Sequence, residues 1–259
     1  MPLDKVVSSA AVAVADIADG STMAVGGFGA CGTPVTLIDA LVDTGVRDLR
    51  LVSNNCGTDD HGLGRLLAAG ALRRVTASYV GDNSVLAAAY AAGEVELELV
   101  PQGTLAERMR AGGSGIAAFF TRAGVGTPVV DGGMPWRYAP DGSVALASPP
   151  RPTQEFDGQT YVLELALHAD VALVHAVRGD RHGNLVFRRS ARNFNPLAAM
   201  AAPVTIAEVE ELVEPGEIDP DQVHCPGVFV QRVVALPPGT EKRIDRRTVR
   251  TTPIQEGGL

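Results

Sequence analysis

Short apolar segments alternate with helix-like segments through the first hundred residues, and this alternation constrains the fold more than any other feature. The apolar segments are Thr22–Val25, Leu49–Val52, Arg74–Tyr79 and Glu96–Val100. Strands separated by helices usually pair in parallel and are covered by helices on both faces. The sequence therefore predicts an α/β fold with an open, mostly parallel sheet.

Four helices are expected, one before the first strand and three between the strands, and more strands follow. The helices are predicted at 4–15, 33–42, 62–69 and 83–92, the second beginning with Thr33 as N-cap and Pro34 at its first position. Later strands are predicted at 161–164, 171–177, 184–187 and 204–208, with a turn at Gly179-Asp180. Residues 101–157 are expected to form long ordered loops with a hairpin around Asp141-Gly142. We predict one domain over 1–259, with a disordered end after about residue 255.

Composition excludes several classes of function. The chain has 259 residues, 46% of them hydrophobic, and a net charge of −8, which favours a globular fold and disfavours nucleic acid as a partner. No segment approaches the roughly 20 apolar residues of a membrane span or has the pattern of a signal peptide. The three cysteines form no close pair and predict neither disulfides nor a zinc site. We expect a cytoplasmic protein without a membrane partner.

The segment Gly27-Phe28-Gly29-Ala30-Cys31-Gly32 follows a predicted strand and precedes a predicted helix. This G-x-G-x-x-G pattern is typical of dinucleotide sites, which also need an acidic residue at the end of the second strand. That strand ends here in Ser53-Asn54-Asn55. A tight turn of positive φ explains the glycines without a ligand. Because Gly26 adds a further glycine, close approach of the backbone to a ligand or partner stays open.

Three carboxamides follow two of the predicted strands, Asn54 and Asn55 after one and Gln102 after another. The carboxyl ends of parallel strands meet at one edge of a sheet, so these amides could converge on a carbonyl or carboxylate. Such donors can stabilise an oxyanion without ionising. The alternative is that they cap helices or turns.

Recognisable catalytic machinery is missing from the sequence. It contains no G-x-S-x-G, H-E-x-x-H or P-loop motif, and the histidines His168, His175 and His182 fall on different predicted elements, so we predict no metal site. The acidic series is interpreted as a solvated surface. Its members are Glu208, Glu210, Glu211, Glu214 and Glu217.

Several segments together resemble the A subunit of family I CoA-transferases, above all the succinyl-CoA:3-ketoacid and 3-oxoadipate enzymes. The matching segments, which cover nearly the whole chain, are 19–34, 53–57, 100–108, 112–119, 180–187, 191–196 and 213–217. The resemblance implies the open α/β sheet of that superfamily. It also implies transfer of CoA from succinyl-CoA to a 3-oxo acid, such as acetoacetate or 3-oxoadipate, through a glutamyl-CoA intermediate.

In that family the nucleophilic glutamate lies in a Ser-Glu-Asn-Gly motif of the B subunit, which is absent here. The resemblance therefore implies no catalytic nucleophile in this chain, no cofactor besides the CoA substrate, and a B partner in an A2B2 assembly. It assigns Asn54, Asn55 and Gln102 to the acyl pocket. Backbone amides nearby would come from two glycine loops, and the residues concerned are Gly26, Gly27, Phe28, Gly29, Gly113 and Gly115.

One departure bears on specificity, since the family often has Gly-Ile-Pro-Ala-Phe-Tyr where this chain has Gly-Ile-Ala-Ala-Phe-Phe, ending at Phe120. Ala117 thus replaces a proline and Phe120 a tyrosine, in a loop expected to face substrate. Alternative functions are hydrolysis or C–C bond cleavage of a CoA ester on the same scaffold, or non-catalytic binding of a dinucleotide.

Overall fold

The computed structural model describes residues 4–81, 83–244 and 247–250. Fifteen strands are assigned within these ranges. They are β1 (Thr22–Val25), β2 (Leu49–Val52), β3 (Leu72–Ala77), β4 (Glu96–Leu99), β5 (Ala118–Thr121), β6 (Pro135–Tyr138), β7 (Val144–Ala147), β8 (Thr153–Phe156), β9 (Gln159–Leu165), β10 (Val171–Asp180), β11 (Leu185–Val186), β12 (Val204–Val213), β13 (Arg232–Ala235), β14 (Glu241–Ile244) and β15 (Arg247–Arg250).

Seven α-helices accompany them in the same described ranges. They are α1 (Ala10–Val14), α2 (Val35–Asp43), α3 (Leu63–Ala68), α4 (Ser84–Ala91), α5 (Gln102–Gly113), α6 (Pro128–Asp131) and α7 (Asn195–Met200). Three short 3-10 helices span Arg189–Arg192, Pro220–Gln222 and Gly227–Phe229. None of the helices in the described part of the chain is both long enough and apolar enough to cross a membrane.

The main sheet has the strand order β13-β12-β10-β1-β2-β3-β4, with all neighbours parallel, and β11 pairs antiparallel with β10. From β1 the chain proceeds outward through β2, β3 and β4, and then returns to the other side of β1 with β10. The strand order therefore reverses at β1. Open α/β sheets bind ligands at the carboxyl ends of strands beside such a reversal, and the glycine-rich segment follows β1.

Two hydrophobic clusters cover the two faces of this sheet. One includes Leu37, Ile38 and Leu41 of α2 packed against β1 and β2. The other includes Leu105 of α5 and Ala198 of α7. Burying a leucine side chain stabilises a fold by about 1.5–3 kcal/mol, so both helical layers hold the sheet in place. The predicted mostly parallel sheet with helices on both faces is confirmed.

Several sequence-based boundaries are wrong. The first helix spans only Ala10–Val14, capped by Ser9, because the preceding segment instead pairs with the sheet, where the Val7 amide donates to the Val233 carbonyl at 2.9 Å. Gly179 and Asp180 belong to β10 and do not form a turn. The hairpin around Asp141-Gly142 is confirmed by the pairing of β6 with β7. The predicted disordered end after about 255 lies outside the described residues.

The 12-residue helix α5 lies in a segment predicted to be loops. Gly103, Gly112 and Gly113 lower its intrinsic helix propensity, since glycine costs about 1 kcal/mol relative to alanine in a helix. Tertiary packing accounts for two of the three: a Cβ on Gly112 would lie 2.0 Å from the Leu167 carbonyl oxygen. A Cβ on Gly113 would lie 2.4 Å from the Met200 carbonyl oxygen. Close packing thus explains these two glycines.

Candidate functional site

The three predicted carboxamides converge. Asn54 and Asn55 follow β2, while Gln102 opens α5 just after β4. Gln102 Nε2 donates to Asn54 Oδ1 at 2.6 Å, and Asn54 Nδ2 donates to Asn55 Oδ1 at 3.3 Å. Asn55 Oδ1 also accepts from the backbone N–H of Gly29 at 3.1 Å. We call this chain of hydrogen bonds, from Gln102 to Gly29, the amide relay.

The Gly29 end sets the direction of the amide relay. A backbone N–H can only donate, so Asn55 must turn its oxygen toward Gly29 and its Nδ2 away. Asn54 must then offer Nδ2 to Asn55 and Oδ1 to Gln102. No described residue accepts from Asn55 Nδ2, and Gln102 Nε2 keeps a second N–H. Since Asn54 is buried while Gln102 is exposed, the amide relay presents oriented donors at the sheet edge.

The relay contains no ionisable side chain. Its members can stabilise a developing negative charge, but none can act as a nucleophile or a general base. Fixed amide donors need no reorganisation when charge appears on a substrate oxygen. The geometry therefore suits an oxyanion site whose reactive group comes from elsewhere.

The glycine-rich segment after β1 is held by two asparagines that sequence reasoning did not single out. Asn193 Oδ1 accepts from the Gly27 amide at 3.2 Å, and its Nδ2 donates to the Cys31 carbonyl at 3.1 Å. Asn195, which is fully buried, donates to the Gly32 carbonyl at 2.9 Å and accepts from the His175 amide at 3.0 Å. The only signal in the sequence was their place in a segment carrying the family resemblance.

These contacts explain much of the glycine content. A Cβ on Gly26 would lie 2.0 Å from Asn195 Oδ1. Gly27 has φ +117°, and a Cβ there would lie 2.7 Å from Thr33 Oγ1. Phe28 is exposed, and its backbone exchanges two hydrogen bonds of 3.0 Å with Cys31. The segment is thus a tight turn whose glycines allow contact with the chain's own side chains.

The start of α2 shows that the predicted cap at Thr33 is wrong. Pro34 occupies the N-cap without a side-chain bond, and Glu208 from β12 instead accepts from the Leu37 amide at 3.0 Å. A carboxylate near a helix N-terminus is favourable because the helix dipole is positive there. The negative charge of Glu208 would repel a second anion at the same position. The start of α2 is therefore poorly suited to the pyrophosphate of a dinucleotide.

The interpretation of the acidic series as a solvated surface is wrong for its first two members. His175 Nδ1 lies 2.8 Å from Glu208 Oε1 and His175 Nε2 lies 3.1 Å from Glu210 Oε1, all three side chains being buried. Lys242 also bonds Glu210, and burial lowers the pKa of its ammonium group. This cluster borders a cavity of about 340 Å³ that Cys31 and Gly32 also line.

Gly113 and Gly115 are not brought to the amide relay. Gly113 ends α5, so it lies about 16 Å from Gln102 along the helix. Gly115 and Ala117 follow it toward β5. Phe120 packs edge-to-face against Phe156, with ring centroids 5.1 Å apart. Because α5 begins at Gln102 and ends at Gly113, the predicted second glycine loop and the substituted loop lie at the other end of α5 from the carboxamides.

Comparison with known proteins identifies the family. The family model for coenzyme A transferase matches residues 7–236. A relative from Mycobacterium tuberculosis, described as the A-type chain of a probable succinyl-CoA:3-ketoacid coenzyme A transferase, is 63% identical over 248 residues, covering 96% of this chain and 100% of that protein. The mitochondrial succinyl-CoA:3-ketoacid coenzyme A transferase 2A of Mus musculus is 52% identical over 92% of this chain but 46% of its own length.

Solved structures share the fold. The acyl-CoA transferase YdiF of Escherichia coli O157:H7 superimposes with a TM-score of 0.81 at 23% identity, over 96% of this chain and 50% of that chain. A variant of the decarboxylase AibA/AibB has a TM-score of 0.70 at 28% identity, over 90% of this chain and 84% of that chain. Since the family model covers residues 7–236, the chain belongs to the coenzyme A transferase family of enzymes.

Proposed function

We propose that this chain is the A subunit of a heteromeric CoA-transferase that moves CoA from succinyl-CoA to a 3-oxo acid. The relatives described as A-type chains support this, because the Mycobacterium tuberculosis protein matches over its full length. The mouse relative is matched over 46% of its length, as expected if one longer chain contains both halves of the enzyme. The proposed partner is a B subunit in an A2B2 assembly, and the proposed location is the cytoplasm.

The observation that carries the proposal is the amide relay with no ionisable member. Asn55 Nδ2 and the second N–H of Gln102 are donors without a described acceptor. Together they would bind the thioester oxygen as it becomes an oxyanion. One such donor can contribute about 3 kcal/mol to a transition state. The nucleophile would be a glutamate of the B subunit.

The proposed exchange balances without any cofactor. The partner's glutamate carboxylate attacks the thioester carbonyl and expels CoA thiolate, which leaves a mixed anhydride. The thiolate then attacks the glutamyl carbonyl, releasing succinate and forming glutamyl-CoA. The acceptor carboxylate then attacks the glutamyl-CoA carbonyl and expels CoA thiolate, which gives a second anhydride. Attack of the thiolate on the acceptor's carbonyl in this anhydride forms the new CoA ester and regenerates the glutamate carboxylate.

The test uses this chain co-purified with its B partner. Gln102→Ala should lower kcat/KM for succinyl-CoA about 100-fold, because one oriented donor is lost while the buried part of the relay remains. Gln154→Ala is the matched control, since Gln154 is exposed on β8 and its side chain bonds only the adjacent Glu155 carbonyl, at 3.4 Å. Size-exclusion chromatography should show both variants assembled. An unchanged rate for Gln102→Ala would refute the role of the relay.

Two further outcomes separate the competing functions. CoA transfer by this chain alone would contradict a nucleophile supplied by the partner. Hydrolysis or decarboxylation of the CoA ester without an acceptor acid would favour the alternative reactions on this scaffold. Trapping with hydroxylamine should yield a partner-bound hydroxamate only when succinyl-CoA is present.

A further inference from the structure

A second polar site lies at the amino ends of the central strands, away from the amide relay. The residues Thr22, Arg50, Arg74 and Glu96 are paired side by side across β1, β2, β3 and β4. They open onto a cavity of about 360 Å³, which Arg73, Glu98 and Arg108 also line. Four guanidinium groups therefore face two carboxylates in one concave site, although the whole chain is acidic.

Glu98 holds the inner part of this cavity together. Its Oε2 lies 2.7 Å from Arg74 Nη2 and accepts from Thr76 Oγ1 at 3.1 Å. Its Oε1 lies 3.3 Å from Arg108 Nη1 and 3.5 Å from Arg151 Nη2. Burial alone would raise the pKa of the Glu98 carboxyl, but the facing Arg108 and Arg74 outweigh it, so the pKa lies below its ordinary value. Glu98 therefore stays ionised, and both of its carboxylate oxygens have partners.

The outer part of the cavity has positive charge without a counter-charge. Neither Arg50 nor Arg73 forms a side-chain hydrogen bond or ion pair with any described residue, and both side chains are exposed. Arg50 lies directly beside Arg74 on the next strand. Arg74 itself is paired with Glu98 at 2.7 Å and with Glu96 at 3.6 Å. The unpaired positive charge is therefore that of Arg50 and Arg73, and a bound anion would neutralise it.

We propose that this cavity binds a small divalent oxyanion, such as a phosphate or a compact dicarboxylate, held by Arg50 and Arg73 at its mouth with Arg74 behind them. Planar guanidinium groups match the oxygens of phosphate and carboxylate in paired hydrogen bonds. The cavity has the volume of a small-ligand site. A macromolecular partner is not needed to fill it.

This site is separate from the proposed CoA-transfer site. Arg50 lies on β2, and Asn54 follows that strand four residues later, which is about 13 Å along an extended chain. Binding there would therefore not require any residue of the amide relay. The proposal is independent of the transferred acyl group and can be tested on the chain without CoA.

Calorimetric titration of the full chain with inorganic phosphate tests the proposal, with sodium chloride at equal ionic strength as reference. Saturable binding is expected for phosphate and not for chloride. Arg50→Gln combined with Arg73→Gln should weaken it about tenfold or more, since each charged hydrogen bond is lost. The control pair is Arg122→Gln with Arg137→Gln, which removes the same charge from exposed residues outside the cavity and should leave the affinity unchanged.

A second readout comes from a tryptophan that contacts Arg74, one of the residues lining the cavity. The guanidinium of Arg74 lies 4.6 Å from the ring centre of Trp136, the single tryptophan of the chain. Phosphate binding should therefore change the tryptophan fluorescence, with the same midpoint concentration as in the calorimetric titration. Sulfate and malonate would show whether the tetrahedral or the dicarboxylate form binds more tightly. Absence of saturable binding by all three anions would overturn the proposal. Equal phosphate affinity in the Arg50/Arg73 variant would do so as well.

Discussion

Asn54→Asp provides a sharp test of the amide relay, because it replaces one donor by an oxygen of the same size. Asn54 Nδ2 donates to Asn55 Oδ1 at 3.3 Å, and an ionised carboxylate would place two acceptors face to face. Asn55 cannot rotate its amide to compensate, since Gly29 already donates to its oxygen. Loss of the donor and disorder of Asn55 should cost about 1–3 kcal/mol, which is a decrease of about 5- to 150-fold in kcat at pH 8.

The pH dependence makes this prediction specific. A protonated carboxyl can donate to Asn55 Oδ1 and accept from Gln102, which restores the relay. An ordinary aspartate has a pKa of about 3.9, and burial raises such a pKa by up to about 3–5 units. Because the donor exists only below the pKa, the ratio of variant to wild-type kcat should rise as pH falls from about 7 to about 5.

The assay is succinyl-CoA turnover by the complex with its B partner across that pH range. Gln154→Glu is the control, because it makes the same exchange of amide for carboxyl at an exposed residue and should give a ratio near one at every pH. A constant, low ratio for Asn54→Asp would mean that the donor to Asn55 is not what the reaction requires. An unchanged kcat at pH 8 would refute the relay itself.

Two further predictions concern packing and thiol chemistry. Gly26→Ala forces a Cβ to within 2.0 Å of Asn195 Oδ1 and should cost about 3 kcal/mol, lowering Tm by about 6–12 °C in calorimetry; a shift under 2 °C would contradict this contact. Burial raises the pKa of Cys56 to about 12 and of Cys225 to about 11. Ellman's reagent at pH 8 should therefore react quickly with only Cys31 in the folded chain and with all three thiols in urea; rapid labelling of two or more native thiols would be inconsistent with it.

The periodicity of the sequence was sufficient for the fold class and for one part of the site. β1 and β2 begin and end where the apolar segments do. Because both strands and β4 run in parallel, residues just after them had to reach the same edge. The sequence alone therefore groups Asn54, Asn55 and Gln102.

The sequence predicts the wrong structure for segments that depend on contacts with distant residues. The sequence predicts loops where α5 forms, because the helix contains three glycines and the close approach of Gly112 and Gly113 to Leu167 and Met200 cannot be seen in the sequence. Glu208 was interpreted as surface, yet it caps α2, whose Leu37 lies 171 residues earlier. From the sequence alone a carboxylate is expected to be exposed, because partners that would stabilise it in the interior are distant along the chain.

The order of residue types along the chain therefore determined that strands alternate with helices, that they pair in parallel, and that amides gather at the carboxyl edge. Those conclusions follow from periodicity and from the geometry of parallel sheets. Only the tertiary structure decided the direction of each amide, the support of the glycine turn by Asn193 and Asn195, and the row that places Arg50 beside Arg74. The physical reason is that hydrogen bonds and charge contacts act over a few ångströms in space, whatever the separation of their residues along the chain.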